Sequence, residues 1–183
     1  MKRIFIIIAF LGLAIPAAAQ NVQSCRSVRL RFFSSAPLED IEAMSTQGVS
    51  AINPATRAIY FKVPITSFQF KKKLMQEHFN ENYLESDKFP YAEFKGRVLG
   101  TTDLTKDGTW PVEAEGDLQI HGVTKSYRVS GTITIAGGNL AAEAKFKVRV
   151  ADHNIKIPSL VIKNIAEVVE VTMSAQYQPA VKP

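Results

Sequence analysis

Ala144-Lys145-Phe146-Lys147-Val148-Arg149-Val150 alternates apolar and cationic residues without a break. Successive side chains of an extended chain point to opposite faces, so this stretch reads as a β-strand with one buried and one wet side. A register slip of one residue would bury Lys145, Lys147 and Arg149, which fixes the two faces. The same period recurs on either side. Val28, Leu30 and Phe32 alternate with Arg29 and Arg31. Ile59, Phe61, Val63 and Ile65 follow, then Ala92, Phe94, Gly96 and Val98 against Glu93, Lys95 and Arg97. Val112–Ile120, Tyr127–Ile135 and Val169–Tyr177 repeat it, and a short segment around Val49–Ile52 completes a set of about eight strands, enough to close a barrel.

The joints support hairpins. Asn53-Pro54-Ala55-Thr56, Lys106-Asp107-Gly108, His121-Gly122-Val123-Thr124 and Ala136-Gly137-Gly138-Asn139 all punctuate alternating runs, and a Gly-Gly pair favours a tight turn. Sequential hairpins predict an all-β fold, an antiparallel up-and-down barrel of lipocalin-like form with one or two short helices. The helices are expected where the two-residue period fails. Pro37–Met44 carries an early proline and acidic first-turn residues. Phe70–Leu84 places Met75, His78, Phe79, Asn82 and Tyr83 on one helical face, and that stripe is expected to cover an open barrel end with Met75, Phe79 and Tyr83 pointing in.

The first residues address the chain. Lys2 and Arg3 precede an apolar run from Ile4 to Ile15, Pro16 ends it, and Ala17-Ala18-Ala19 supplies small residues for a peptidase. That layout predicts a cleaved secretory signal over residues 1–19, a single domain over 20–183, and a periplasmic or secreted location. The run is too short for a stable membrane span. Cleavage removes two positive charges from the formal +5 of the 183-residue chain. The remaining charges are dispersed among apolar residues, which argues against a nucleic-acid partner. Cys25 is the single cysteine, so no internal disulfide forms and the fold rests on its core.

Chemistry-bearing motifs are sparse. His78, His121 and His153 lack metal-ligand spacing and Cys25 has no cysteine partner, so neither a metal nor another cofactor is expected. There is no nucleophile elbow and no phosphate-cradling glycine loop. Asp117, His121 and Asp152 are the candidates for an acid–base set, with turn and ladder-end hydrogen bonding as their structural alternative.

Three further stretches carry a resemblance: Leu74-Met75-Gln76-Glu77-His78-Phe79-Asn80-Glu81-Asn82-Tyr83-Leu84-Glu85-Ser86 running into Phe89-Pro90-Tyr91-Ala92-Glu93-Phe94-Lys95-Gly96; Gly116-Asp117-Leu118-Gln119-Ile120-His121-Gly122-Val123-Thr124-Lys125; and Asp152-His153-Asn154-Ile155-Lys156-Ile157-Pro158. Together they resemble a shorter branch of the YceI-like family of lipid- and polyisoprenoid-binding proteins. The resemblance implies a periplasmic lipocalin-like barrel holding a long-chain amphiphile, of isoprenoid or fatty-acid type, in an apolar interior without catalysis. The residues expected to line it are Phe61, Val63, Met75, Phe79, Tyr83, Phe94, Val98, Phe146, Val148, Val171 and Met173. Two alternatives stand beside this reading: an enzyme acting on an amphiphile through Asp117, His121 and Asp152, and a structural or stress-related barrel packed solid. A homodimer is left open.

Overall fold

The computed structural model describes residues 22–35, 40–157 and 167–179. The expected signal segment lies outside them. Among the described residues the strands are β1 (Gln23–Ser34), β2 (Ile41–Ile52), β3 (Ala58–Pro64), a two-residue β4 (Gln69–Phe70), β5 (Tyr91–Val98), β6 (Gly108–Ile120), β7 (Val123–Ala136), β8 (Asn139–Arg149) and β9 (Val168–Pro179). Each long strand pairs antiparallel with its neighbour in the chain, and β9 returns to β1. The eight long strands therefore close an up-and-down barrel, with β4 paired to the start of β2. Closure removes the exposed edges that an open sheet would leave.

Two hairpins show how the sequence enforces this path. Gly137 and Gly138, at φ 55° and 80°, join Ala136 to Asn139 across β7 and β8. His121 and Gly122, at φ 50° and 72°, do the same for Ile120 and Val123. Both central residues of such a turn are left-handed, a conformation that suits the twist of the flanking strands.

One expected helix is absent. Of Pro37–Met44, residues 37–39 lie outside the described set, and Ile41–Met44 opens β2 instead. The reason is visible along that strand. Ala43 and Ser45 point inward, Thr46 and Gln47 are both exposed, and Gly48, Ser50 and Ile52 then resume the inward row. The opposing ladder to β1 shifts register between Val28 and Leu30, which face Gly48 and Ser45. This bulge breaks the period, and small or hydroxylated inward residues hide the strand's apolar face. The other helix is shorter than Phe70–Leu84: α1 spans Lys73–His78 and continues as a wide π turn over Phe79–Tyr83, while Phe70 belongs to β4.

The core is divided between the ends of the barrel. At one end Val28, Ile52, Val98, Leu104, Leu140 and Tyr177 are buried in a packed plug, with Cys25 among them. At the other, Leu84 from the end of the π turn joins Ile65, Val150 and Ile155. The Leu84 N–H donates to the Phe79 carbonyl at 2.9 Å, the long hydrogen-bond step of a π turn.

Candidate functional site

The barrel is not packed solid. Between its two core clusters lies a cavity of about 650 Å³, within the size range of small-molecule sites. All eleven residues expected to line the interior border it. Phe61, Val63, Phe94, Val98, Phe146, Val148, Val171 and Met173 come from the inward phases of β3, β5, β8 and β9, and Met75, Phe79 and Tyr83 from the helical cap. Of the other two residues on that helical stripe, Asn82 is exposed and away from the cavity, whereas His78 is exposed but also borders it.

Space exists because the inward rows carry small residues. Gly96 of β5 and Gly116 of β6 face each other across the ladder, and a Cβ on either would collide with backbone of the opposite strand. Ala114, Gly131 and Ala144 continue the thin wall. The bulky phenylalanines along the same rows thus surround the space instead of filling it.

Two pairs of buried hydroxyls are matched to one another. Ser67 Oγ donates to the Pro64 carbonyl at 2.6 Å, so Ser45 Oγ, 2.6 Å from Ser67 Oγ, donates to it. Ser50 Oγ likewise donates to the Tyr60 carbonyl at 2.8 Å, leaving Tyr177 to donate to Ser50 at 2.7 Å. Burial pushes the Tyr177 phenol up to about 12, so it stays neutral. With the Ser50 and Tyr177 donors already used, the largely apolar lining favours an aliphatic occupant.

Four aromatic rings fasten the cap. Phe79 stacks on Phe32 of β1 with centroids 5.4 Å apart, and lies 5.0 Å from Phe70 and 5.8 Å from Phe68. Sequence periodicity found Phe79 but missed Phe68 and Ile155, which border the cavity from connections without strand or helix period. Phe79→Ala is expected to lower the unfolding free energy by about 2–3 kcal/mol, less than for a fully buried phenylalanine because Phe79 is half-buried. Urea denaturation measures this.

The candidate acid–base residues do not form one site. Asp117 is exposed on the outer wall and accepts from Ser126 Oγ at 2.8 Å. His121 Nδ1 donates to the His153 carbonyl at 3.1 Å, and its Nε2 lies 2.9 Å from Glu85 Oε2. Asp152 sits outside, beside Tyr127 and Lys125. Among the described residues no hydrogen bond or ion pair joins any two of the three.

His153 has a structural role that the sequence did not reveal. It is fully buried, donates from Nδ1 to the Val123 carbonyl and accepts at Nε2 from Tyr127 Oη, both at 3.1 Å. Burial favours the neutral ring, which makes both bonds with Tyr127 as the donor to Nε2. Burial lowers its pKa from the ordinary value, outweighing the Val123 hydrogen bond and the nearby Asp152 carboxylate, with Lys125 adding to the depression. The unfolded histidine titrates near 6.5. Between that value and the lower folded one, only the unfolded chain holds the proton, so stability is full above about pH 6.5 and falls as the pH drops through that window. Thermal midpoints at pH 7.5 and 5.5 should show the loss, and His153→Gln should flatten it.

Solved structures with the same fold are far apart in sequence. A polyisoprenoid binding domain from Saccharophagus degradans, implicated in plant cell wall breakdown, superposes with a TM-score of 0.73 at 12% identity, over 88% of this chain and 99% of that one. Burkholderia cenocepacia BcnA gives 0.69 at 12% identity, over 82% and 96%. The Campylobacter jejuni YceI protein gives 0.58 at 14%, over 81% and 85%. A comparison with curated proteins gave no match. The family model for the YceI-like domain matches residues 28–177, from the first buried valine of β1 to the interior tyrosine of β9, and the chain therefore belongs to the YceI-like family.

Proposed function

We propose that this protein is exported to the periplasm and there carries one amphiphile, its aliphatic or isoprenoid tail in the barrel, without changing it chemically. The observation that carries this reading is the apolar cavity of about 650 Å³, packed at one end and partly covered at the other by the aromatic cap, where exposed Lys72, Leu74 and His78 border it. At about 30 Å³ for a group the size of a water, the space suits roughly twenty methylene-sized groups. That favours a fatty acid or a short isoprenoid over a much longer chain. Each methylene taken from water contributes about 0.8 kcal/mol, so ten of them give roughly 8 kcal/mol before ordering costs, a micromolar affinity. The polyisoprenoid binding described for the Saccharophagus domain fits the same physics.

Binding needs no reactive group, which agrees with the separate structural partners of Asp117 and His121. The proposed export rests on the leader at residues 1–19, with Gln20 as the new N-terminus. The test is a titration of delipidated protein with a fluorescent fatty acid. Saturation at one probe per barrel, reversed by palmitate, is expected. Absence of saturation with an intact fold would refute the carrier reading.

A further inference from the structure

The barrel wall has a seam. β7 pairs with β6 along its whole length, from Ile120↔Val123 to Gly108↔Ile135, and β8 pairs with β9 from Leu140↔Tyr177 to Arg149↔Val168. Between β7 and β8 the ladder runs only from Ala136↔Asn139 to Gly131↔Ala144. Residues 123–130 of β7 and 145–149 of β8 therefore diverge towards the capped end. The comparable gap between β2 and β3 is occupied by β4, whereas this one is filled by side chains and by the 3-10 turn Val150–His153, which packs against the start of β7. Tyr127 stacks on His153 at 5.8 Å and meets Phe146 edge-on at 6.5 Å. Phe146 borders the cavity and Tyr127 borders a recess on the outside. Among the described residues, the rings of Tyr127 and Phe146 lie between the interior and this recess.

The outer recess, about 460 Å³, has a distinct chemistry. Lys125, Lys147 and Arg149 line it with one carboxylate, Asp152, and with Ser126 and Tyr127 as neutral polar groups, while Glu170, opposite Lys147 on β9, is engaged by Lys145. Neighbouring cations on the same strands are paired: Lys145 with Glu170 at 2.8 Å, and Arg128 with Glu115 at 2.8 Å. Lys125, Lys147 and Arg149 form no ion pair with another described residue. Lys125 stands on the inward phase of β7, opposite buried Leu118, at the place where the missing ladder lets an inward cation reach water. An excess of positive charge thus sits outside the thinnest part of an apolar cavity wall.

We infer that the β7–β8 seam is a head-group site: Lys125, Lys147 and Arg149 hold the anionic head of an amphiphile, a carboxylate or phosphate ester, while its tail passes between Tyr127 and Phe146 into the barrel. This rests on the carrier reading and adds to it the ligand's charge and its point of entry. The three exposed cations each attract an anion modestly, more so at low salt. The seam rings are swinging side chains, whereas opening the barrel elsewhere along these strands would break backbone hydrogen bonds.

The test uses the mature protein and a Lys147→Gln/Arg149→Gln variant, both positions being exposed and outward, so the fold is undisturbed. Palmitate, hexadecyl phosphate and hexadecanol are titrated into each at low salt. The variant should lose roughly ten-fold in affinity for the two anions and keep its affinity for the alcohol, and added salt should erase the difference. Loss for palmitate alone identifies a carboxylate head, and loss for hexadecyl phosphate alone a phosphate head; either supports the site. Unchanged affinity for both anions, or an equal loss for the alcohol, would overturn it while leaving the carrier reading in place. Failure of the wild type to bind any of the three would remove both.

Discussion

Ala114→Phe is expected to reduce the affinity for palmitate by about a hundred-fold while leaving the barrel folded. Ala114 borders the cavity on β6, between Val98 of β5 and Val129 of β7 in the ladder. A phenyl group there occupies the room of three or four methylenes of ligand, each contributing about 0.8 kcal/mol, and roughly 3 kcal/mol corresponds to two decades in Kd. Because the ring enters empty space, the thermal midpoint should hold or rise. Calorimetric titration and a melting curve on the same sample separate the outcomes. A lower midpoint with unchanged affinity would mean that the ligand lies elsewhere and that this wall is tightly packed.

The second large effect concerns the wall itself. Gly116→Ala should destabilise the protein by about 1–3 kcal/mol, a fall in Tm of roughly 3–10 °C for a chain of this size. The added Cβ would meet the Lys95 carbonyl oxygen and the Gly96 Cα across the β5–β6 ladder. Those atoms belong to backbone held in hydrogen-bonded pairs on both sides, so they cannot swing away as a side chain would. A single methyl group at a neighbouring inward position is already present in Ala114 and tolerated, which makes close backbone approach the distinguishing factor. An unchanged Tm would show that the two strands can separate freely at this point.

The legibility of the fold varied with the chemistry of each strand. β8, with Lys145, Lys147 and Arg149 set against Phe146 and Val148, announces its two faces, and so do β3 and β5. β2 does not, because its inward positions are Ala43, Ser45, Gly48 and Ser50, and a bulge at Thr46–Gln47 inverts the phase midway. A segment of that kind looks like a loop beside a short helix to any argument from periodicity. Its burial depends on hydroxyl pairs with Ser67 and Tyr177, residues 22 and 127 positions away in the chain.

The site was legible to a similar degree and for the same reason. Residues on inward strand phases could be named from alternation, and the helical stripe supplied Met75, Phe79 and Tyr83. What alternation cannot reveal is where a ladder stops. The β7–β8 seam depends on how far two strands diverge after Gly131 and Ala144, a property of barrel curvature and of the Tyr127–His153 stack that fills the gap. His153 likewise stands in no motif that marks its role, yet it is buried completely and joins the start of β7 to the turn beyond β8.

The most direct measurement is mass spectrometry of the protein recovered from the periplasm under native conditions, followed by organic extraction of the same material. The account predicts one bound amphiphile per chain, with an apolar tail of roughly twenty carbons or fewer, set by the cavity at about 30 Å³ per group, and with an anionic head. Protein that arrives without lipid, and then fails to take up palmitate or hexadecyl phosphate in solution, would contradict it.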